Sequence, residues 1–169
     1  KAAKSVADSI GPPAIFAKVD VASRDSTKAM ISAAVKAFGK LDVIFNNAGI
    51  SQTCNFMDVT EDDWHRIMDV NGLGVLIGTQ EAARQMKAQG SGGKIINTAS
   101  IAAKQGYPLF AHYCASKFAV AALTQAAARA LAADKITVNA FAPGVVRTEL
   151  WEQLDREFMD LGITQKPDQ

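Results

Sequence analysis

The sequence predicts an α/β domain built on an open, doubly wound parallel sheet, and three observations carry that reading. Short runs rich in β-branched residues alternate with longer helical segments. The runs are apolar along their length and bounded by Gly, Pro or polar residues, as strands covered on both faces are. The connections are short, so strand, helix and strand follow one another as right-handed crossovers. With 169 residues, 49% apolar and 21% charged, the chain has the balance of one soluble globular domain, 1–169, and a length that supports a sizeable core.

The elements follow in order. The chain opens inside a helix that stops at Ile10-Gly11-Pro12-Pro13, because Gly and Pro punctuate helix ends. Residues 14–20 read as a first strand, and 26–38 as a helix with Met30, Ala34 and Phe38 on one face and Gly39 just past its end. Residues 42–46 are a second strand. Thr60-Glu61-Asp62-Asp63 is a capping signal that opens a long helix running to about Gln89, closed by Gly90-Ser91-Gly92-Gly93. Within it Asn71 stands between poor helix formers, Gly72 and Gly74, which predicts a local kink. A third strand spans 94–98, an Ala- and Leu-rich helix 110–133, and a fourth strand 136–142. The chain begins without a strand before its first helix and stops at Lys166–Gln169 without returning to one. The sheet is therefore expected to be incomplete at both ends, lacking a first βαβ unit and a last strand.

Composition excludes several classes. Eighteen Lys and Arg against seventeen Asp and Glu leave a net charge of +1, so no basic stripe for nucleic acid is expected. Two cysteines, Cys54 and Cys114, are too few for a disulfide scaffold and suit a reducing cytoplasmic setting. No apolar run reaches the roughly 18 to 20 residues needed to span a bilayer, so no membrane partner is expected. The basic N-terminus has no apolar segment behind it and does not read as a signal peptide. His65 and His112 lack metal-ligand spacing, and no metal is expected.

In open parallel sheets ligands bind beyond the carboxyl ends of the strands. Here those ends run into Asp20-Val21, Asn46-Asn47-Ala48-Gly49, Ala99-Ser100 and Pro143-Gly144-Val145-Val146-Arg147-Thr148. Small polar side chains and glycines there permit the close backbone approach that a flat cofactor needs. Tyr113 and Lys117 stand four apart on a helix, so their side chains share a face. A lysine charge beside a phenol favours phenolate, which makes Tyr113 a candidate acid or base. Ser100, ending the preceding strand, could hydrogen-bond a substrate oxygen.

These residues resemble the short-chain dehydrogenase/reductase family, through Asn-Asn-Ala-Gly at 46–49 and Tyr-x-x-x-Lys at 113–117, with Ser100, Asn71, Asp20-Val21 and Pro143-Gly144 in register over essentially all of 1–169. The resemblance implies a Rossmann-like fold, NAD or NADP as cofactor, and interconversion of an alcohol and a ketone. It implies that Tyr113 is the acid/base and that Ser100 orients the substrate oxygen. Lys117 would bind the nicotinamide ribose and lower the Tyr pKa, and Asn71 would hold a relay water through a helix kink. On the cofactor side it implies Asp20 and Val21 at the adenine, Asn47, Ala48 and Gly49 along the adenosine, and Pro143, Gly144, Val146 and Thr148 at the nicotinamide end. It also implies a homodimer or homotetramer. Lys94-Ile95-Ile96-Asn97 and Leu150–Asp155 carry a weaker likeness to the branch acting on acetoin, butanediol or polyols.

The family's glycine-rich turn is missing from the sequence. Gly72-Leu73-Gly74 through Gly78 imitates it, but no strand precedes it, so it is not read as a phosphate loop. Alternatives stay open at this stage. The enzyme could act on a 3-oxoacyl chain or a steroid, or the chain could be a cofactor-binding scaffold without turnover. Asn46 is expected to hold the sheet rather than touch cofactor, Asp20 could instead cap the next helix, and Leu150 and Trp151 could form a lid or ordinary packing.

Overall fold

The computed structural model of the chain describes residues 2–164. The expected ending at Lys166–Gln169 lies outside the described residues. Three strands, β1 (Val43–Asn46), β2 (Gly93–Thr98) and β3 (Ile136–Phe141), pair in parallel in chain order. The register sets Ile44 beside Ile95 and Ile95 beside Val138, and all three are buried. Because alternate strand residues share a face, this row makes one wall of the core. Against it pack Ile31 and Val35 of α2 (Arg24–Phe38), Ala82, Ala83 and Met86 of α4 (Gly74–Gln89), and Leu131 of α5 (Ala111–Leu131). On the opposite face Val43, Phe45 and Phe141 are about half exposed, with the Phe45 and Phe141 rings 5.7 Å apart.

Helix boundaries follow local chemistry. α1 (Ala2–Ile10) ends where Gly11 takes a positive φ of 71°. α2 begins two residues before the expected start, because Ser23 caps it by accepting from Ser26 N. The cap at Thr60 is a full capping box with Asp63, and it opens α3 (Glu61–Met68). The expected kink is a wide turn at Asp69–Leu73, in which the Gly74 N–H reaches back five residues to the Asp69 carbonyl. The 60–89 stretch is thus two helices, α3 and α4, joined by a π-turn. Gly78 lets α4 lie on β1, since a Cβ there would overlap the Asn46 side chain.

One expectation changes, and one element is new. Residues 14–20 pair with no strand among the described residues. Their apolar composition favours a strand, but a strand needs a neighbour; none is hydrogen-bonded alongside, and Ile15 and Phe16 are left about half exposed. After β3 the chain folds into a further helix, α6 (Glu149–Asp160), capped by Thr148. Its apolar face was masked in the sequence by the acidic residues that share the segment.

Polar side chains bind the layers together. Asn46 Nδ2 donates to Asn97 Oδ1 at 2.9 Å, and Asn97 Nδ2 to Thr124 Oγ1 at 2.9 Å, which joins β1, β2 and α5. Asn46 therefore holds the sheet, as its position led us to expect. The buried Glu81 carboxylate accepts from Arg24 and Arg84, which ties α2 to α4.

Candidate active site

The carboxyl edge of the sheet gathers the reactive residues because each sits one step past a strand or one turn into the helix that follows. Ser100, 8% exposed, leaves β2 and caps a short turn by accepting from Ala102 N at 3.1 Å. Tyr113 lies in the first turn of α5, near enough to Ser100 for that side chain to act on its phenol. Lys117, one turn further on and buried, donates from Nζ to the Thr98 carbonyl at 2.9 Å and stands 5.6 Å from the centroid of the Tyr113 ring.

The electrostatics differ from the sequence expectation. Burial pushes the Tyr113 phenol above its usual value, while the Ser100 hydrogen bond and the adjacent Cys114 act in opposite directions, down and up. Burial likewise lowers Lys117 to about 8. The expected depression of the phenol by Lys117 is absent, because the ammonium is aimed at a carbonyl and at the ring face rather than at the hydroxyl. The Ser100 side chain is the neighbour that favours phenolate, and burial outweighs it.

Asn71 sits in the π-turn, 1% exposed. Its amide accepts from Ile50 N at 2.9 Å, and donates to the Ile50 carbonyl at 2.9 Å and to Ser116 Oγ at 3.0 Å. It therefore pins the loop after β1 to α5 next to Lys117. Ser116, which donates onward to the Tyr113 carbonyl at 2.7 Å, escaped the sequence reading. Its only signal is a mid-helix serine beside the lysine. Asn71, Lys117 and Gly49 converge, since a Cβ on Gly49 would stand 3.3 Å from Asn71 Oδ1 and 3.6 Å from Lys117 Nζ.

The remaining candidates divide. Val21, Asn47 and Ala48 line a cleft of about 140 Å³ between β1, α2 and α4. Asp20 is exposed, accepts from Ala22 N at 3.1 Å and leaves the capping of α2 to Ser23. The Pro143 carbonyl takes the Ile101 N–H at 3.0 Å, while Gly144 and Val146 are exposed. Thr148 is occupied as the α6 cap, accepting from Trp151 N at 3.4 Å. Trp151 packs edge-on against Phe158 of its own helix. His65 is exposed and His112 fully buried, and both cysteines are free thiols. No helix among the described residues is long and apolar enough to cross a membrane.

The residues present suit a nucleotide ribose. A buried ammonium that gives one N–H to a carbonyl keeps donors for a diol, and the glycine opposite it leaves the room that a side chain would fill.

Ser100, Tyr113 and Lys117 thus stand together at the carboxyl edge of a parallel sheet. The chain belongs to the short chain dehydrogenase family, whose model matches residues 1–158. It is 47% identical over 144 residues to the L-2,3-butanediol dehydrogenase of Corynebacterium glutamicum, covering 85% of this chain and 56% of that protein. It is 40% identical over 151 residues to a diacetyl reductase, (S)-acetoin forming, of Staphylococcus epidermidis, covering 89% and 59%. The crystal structure of 3-ketoacyl-(acyl-carrier-protein) reductase from Brucella melitensis complexed with NADH superposes with a TM-score of 0.83 at 36% identity, covering 88% and 63%. The chain thus spans less than two thirds of the length of these relatives.

Proposed function

We propose that the protein to which this chain belongs is an NAD- or NADP-dependent oxidoreductase that interconverts a small secondary alcohol and its ketone, with a diol or hydroxyketone as the favoured class. The observation that carries it is the Ser100–Tyr113–Lys117 set, held together at the strand ends with Asn71 behind Gly49. The Tyr113 phenol gives a proton to the substrate oxygen during reduction and takes it back during oxidation. Ser100, beside that hydroxyl, orients the same oxygen. Lys117 and the backbone at Gly49 hold the ribose, and Asn71 keeps the loop carrying Gly49 in place. Bound nicotinamide supplies or accepts the hydride.

The butanediol and diacetyl enzymes favour a small vicinal substrate over a 3-oxoacyl chain. A homodimer or homotetramer in the cytoplasm completes the reading, supported by the exposed Leu73 of the π-turn and Phe118 of α5 and by the two free thiols. The test is hydride transfer by the full-length protein with both cofactors against diacetyl, acetoin, butanediol, sorbitol and an acetoacetyl thioester. Turnover of the four-carbon substrates that Tyr113→Phe lowers by about 10² or more supports the proposal. Preference for the thioester moves the substrate class, and a Tyr113→Phe variant with more than about a tenth of the wild-type kcat removes Tyr113 from its role.

A further inference from the structure

Two neighbouring residues of α6 fasten it to the two loops that lead into the site. Glu157 Oε2 accepts from the Thr53 backbone N–H at 2.8 Å and from Thr53 Oγ1 at 2.7 Å, while Gln153 donates to Oε1 at 2.6 Å. The next residue, Phe158, meets Phe110 edge-on at 5.8 Å, and Phe110 in turn meets the Tyr113 ring edge-on at 6.1 Å. The two loops are joined as well, because Cys54 N donates to the Leu109 carbonyl at 3.0 Å. The contacts form a closed circuit: Thr53 to Glu157, Phe158 to Phe110, Leu109 to Cys54. A polar anchor and an aromatic one on consecutive helix residues constrain both the position and the rotation of α6 against the segments at Thr53 and Phe110.

We propose that Glu157 is a positioning residue, which locks α6 to Thr53 and so seats Phe158 against Phe110, the ring on which Tyr113 leans. The proposal rests on Tyr113 being the acid/base, but its first readout does not. Two charge-assisted hydrogen bonds from one residue are strong enough to set how often α6 lifts away. In the undocked state Phe110 loses its partner and the substrate wall is incomplete. Substrate then binds only to the docked fraction, and its apparent affinity falls with that fraction.

The experiment uses the full-length protein with Glu157→Gln, Thr53→Val and the double variant. Hydrogen exchange over 149–160 should quicken by about tenfold in Glu157→Gln, with β2 unchanged. Thr53→Val, which removes the hydroxyl and keeps the backbone donor, should give a smaller increase of about threefold. The double variant should exchange no faster than the product of the two predicts, and in practice close to Glu157→Gln alone, because both act on one pair. The KM for the alcohol should rise by about threefold to tenfold, with kcat within about twofold and the cofactor KM unchanged. Exchange over α6 within about twofold of wild type, or fully additive variants, overturns the proposal. If Glu157→Gln does not fold, Thr53→Val alone decides by the same exchange readout. The exchange response in the variants, beside a wild type that transfers no hydride, overturns the dehydrogenase reading and leaves the anchor standing.

Discussion

Lys117 is buried with its ammonium on the Thr98 carbonyl, and burial alone holds its pKa at about 8, below the 10.5 of the free side chain. Folding therefore disfavours its charged form. Between about pH 8 and 10 the unfolded chain binds more protons at this site than the folded one, so stability should rise with pH across that window, by about 2 kcal/mol. Below pH 8 both states are charged and the cost is constant. Denaturant midpoints at stepped pH should show the rise in wild type, and Lys117→Met should abolish it. A wild-type slope that persists in the variant assigns it to another group. Tyr113 acts in the opposite sense only above its ordinary value near 10, since its folded pKa is raised. Ser100, Tyr113 and Lys117 were legible because strand end and helical spacing bring them together. The direction of the Tyr113 shift was not legible, because it depends on where the ammonium points, and the Thr98 carbonyl that turns it away is backbone, invisible to any motif. Ser116 was hidden for a similar reason: a single serine in an alanine-rich helix carries no periodic signal, yet it joins Asn71 to the Tyr113 carbonyl.

Asn71 and Gly78 show how the long helix is fitted to the sheet. The π-turn at Asp69–Leu73 rotates the Asn71 amide toward the Ile50 backbone, and Gly78 brings α4 close to β1. Gly78→Ala should disturb this contact. Its Cβ would overlap Asn46, whose amide also bonds Asn97, so both packing and a buried hydrogen bond are lost, for about 2 to 3 kcal/mol. Thermal unfolding of the variant checks the loss, and a change within about 0.5 kcal/mol shows that Asn46 has room to move. Helix boundaries were readable from caps such as Thr60 and Gly39, because capping is a local interaction. The run at 14–20 was read as a strand on composition, but pairing is a property of two segments, and only the structure can show whether the second is there. α6 went unread for a different reason. Its docking residues, Glu157 and Phe158, are separated in sequence from their partners Thr53 and Phe110 by 104 and 48 residues.

At the scale of the molecule, the sheet order β1–β2–β3 leaves β1 at one edge among the described residues, beside the cleft lined by Val21, Asn47 and Ala48. Half-exposed Val43 and Phe45 lie on the same strand. An unpaired edge next to apolar surface invites pairing with other chains. The full-length protein should sediment as a dimer or tetramer at micromolar concentration through α3–α4 and α5, and a monomer there counts against that assembly. The 169-residue polypeptide on its own is a different case. A dinucleotide is gripped at three places: its adenine, its nicotinamide and the pyrophosphate between them. The pyrophosphate is held chiefly by N–H groups at a helix start reached through a glycine-rich turn, and no strand-to-helix turn of that kind occurs among the described residues. Lys117, Gly49 and the Val21 cleft can hold only the parts on either side. Calorimetric titration with NAD(H) and NADP(H) should therefore show weak or no binding to this polypeptide and clear binding to the full-length protein. Comparable binding by both would mean that the ribose contacts at Lys117 and Gly49 carry the affinity, and that the charged middle of the cofactor contributes little.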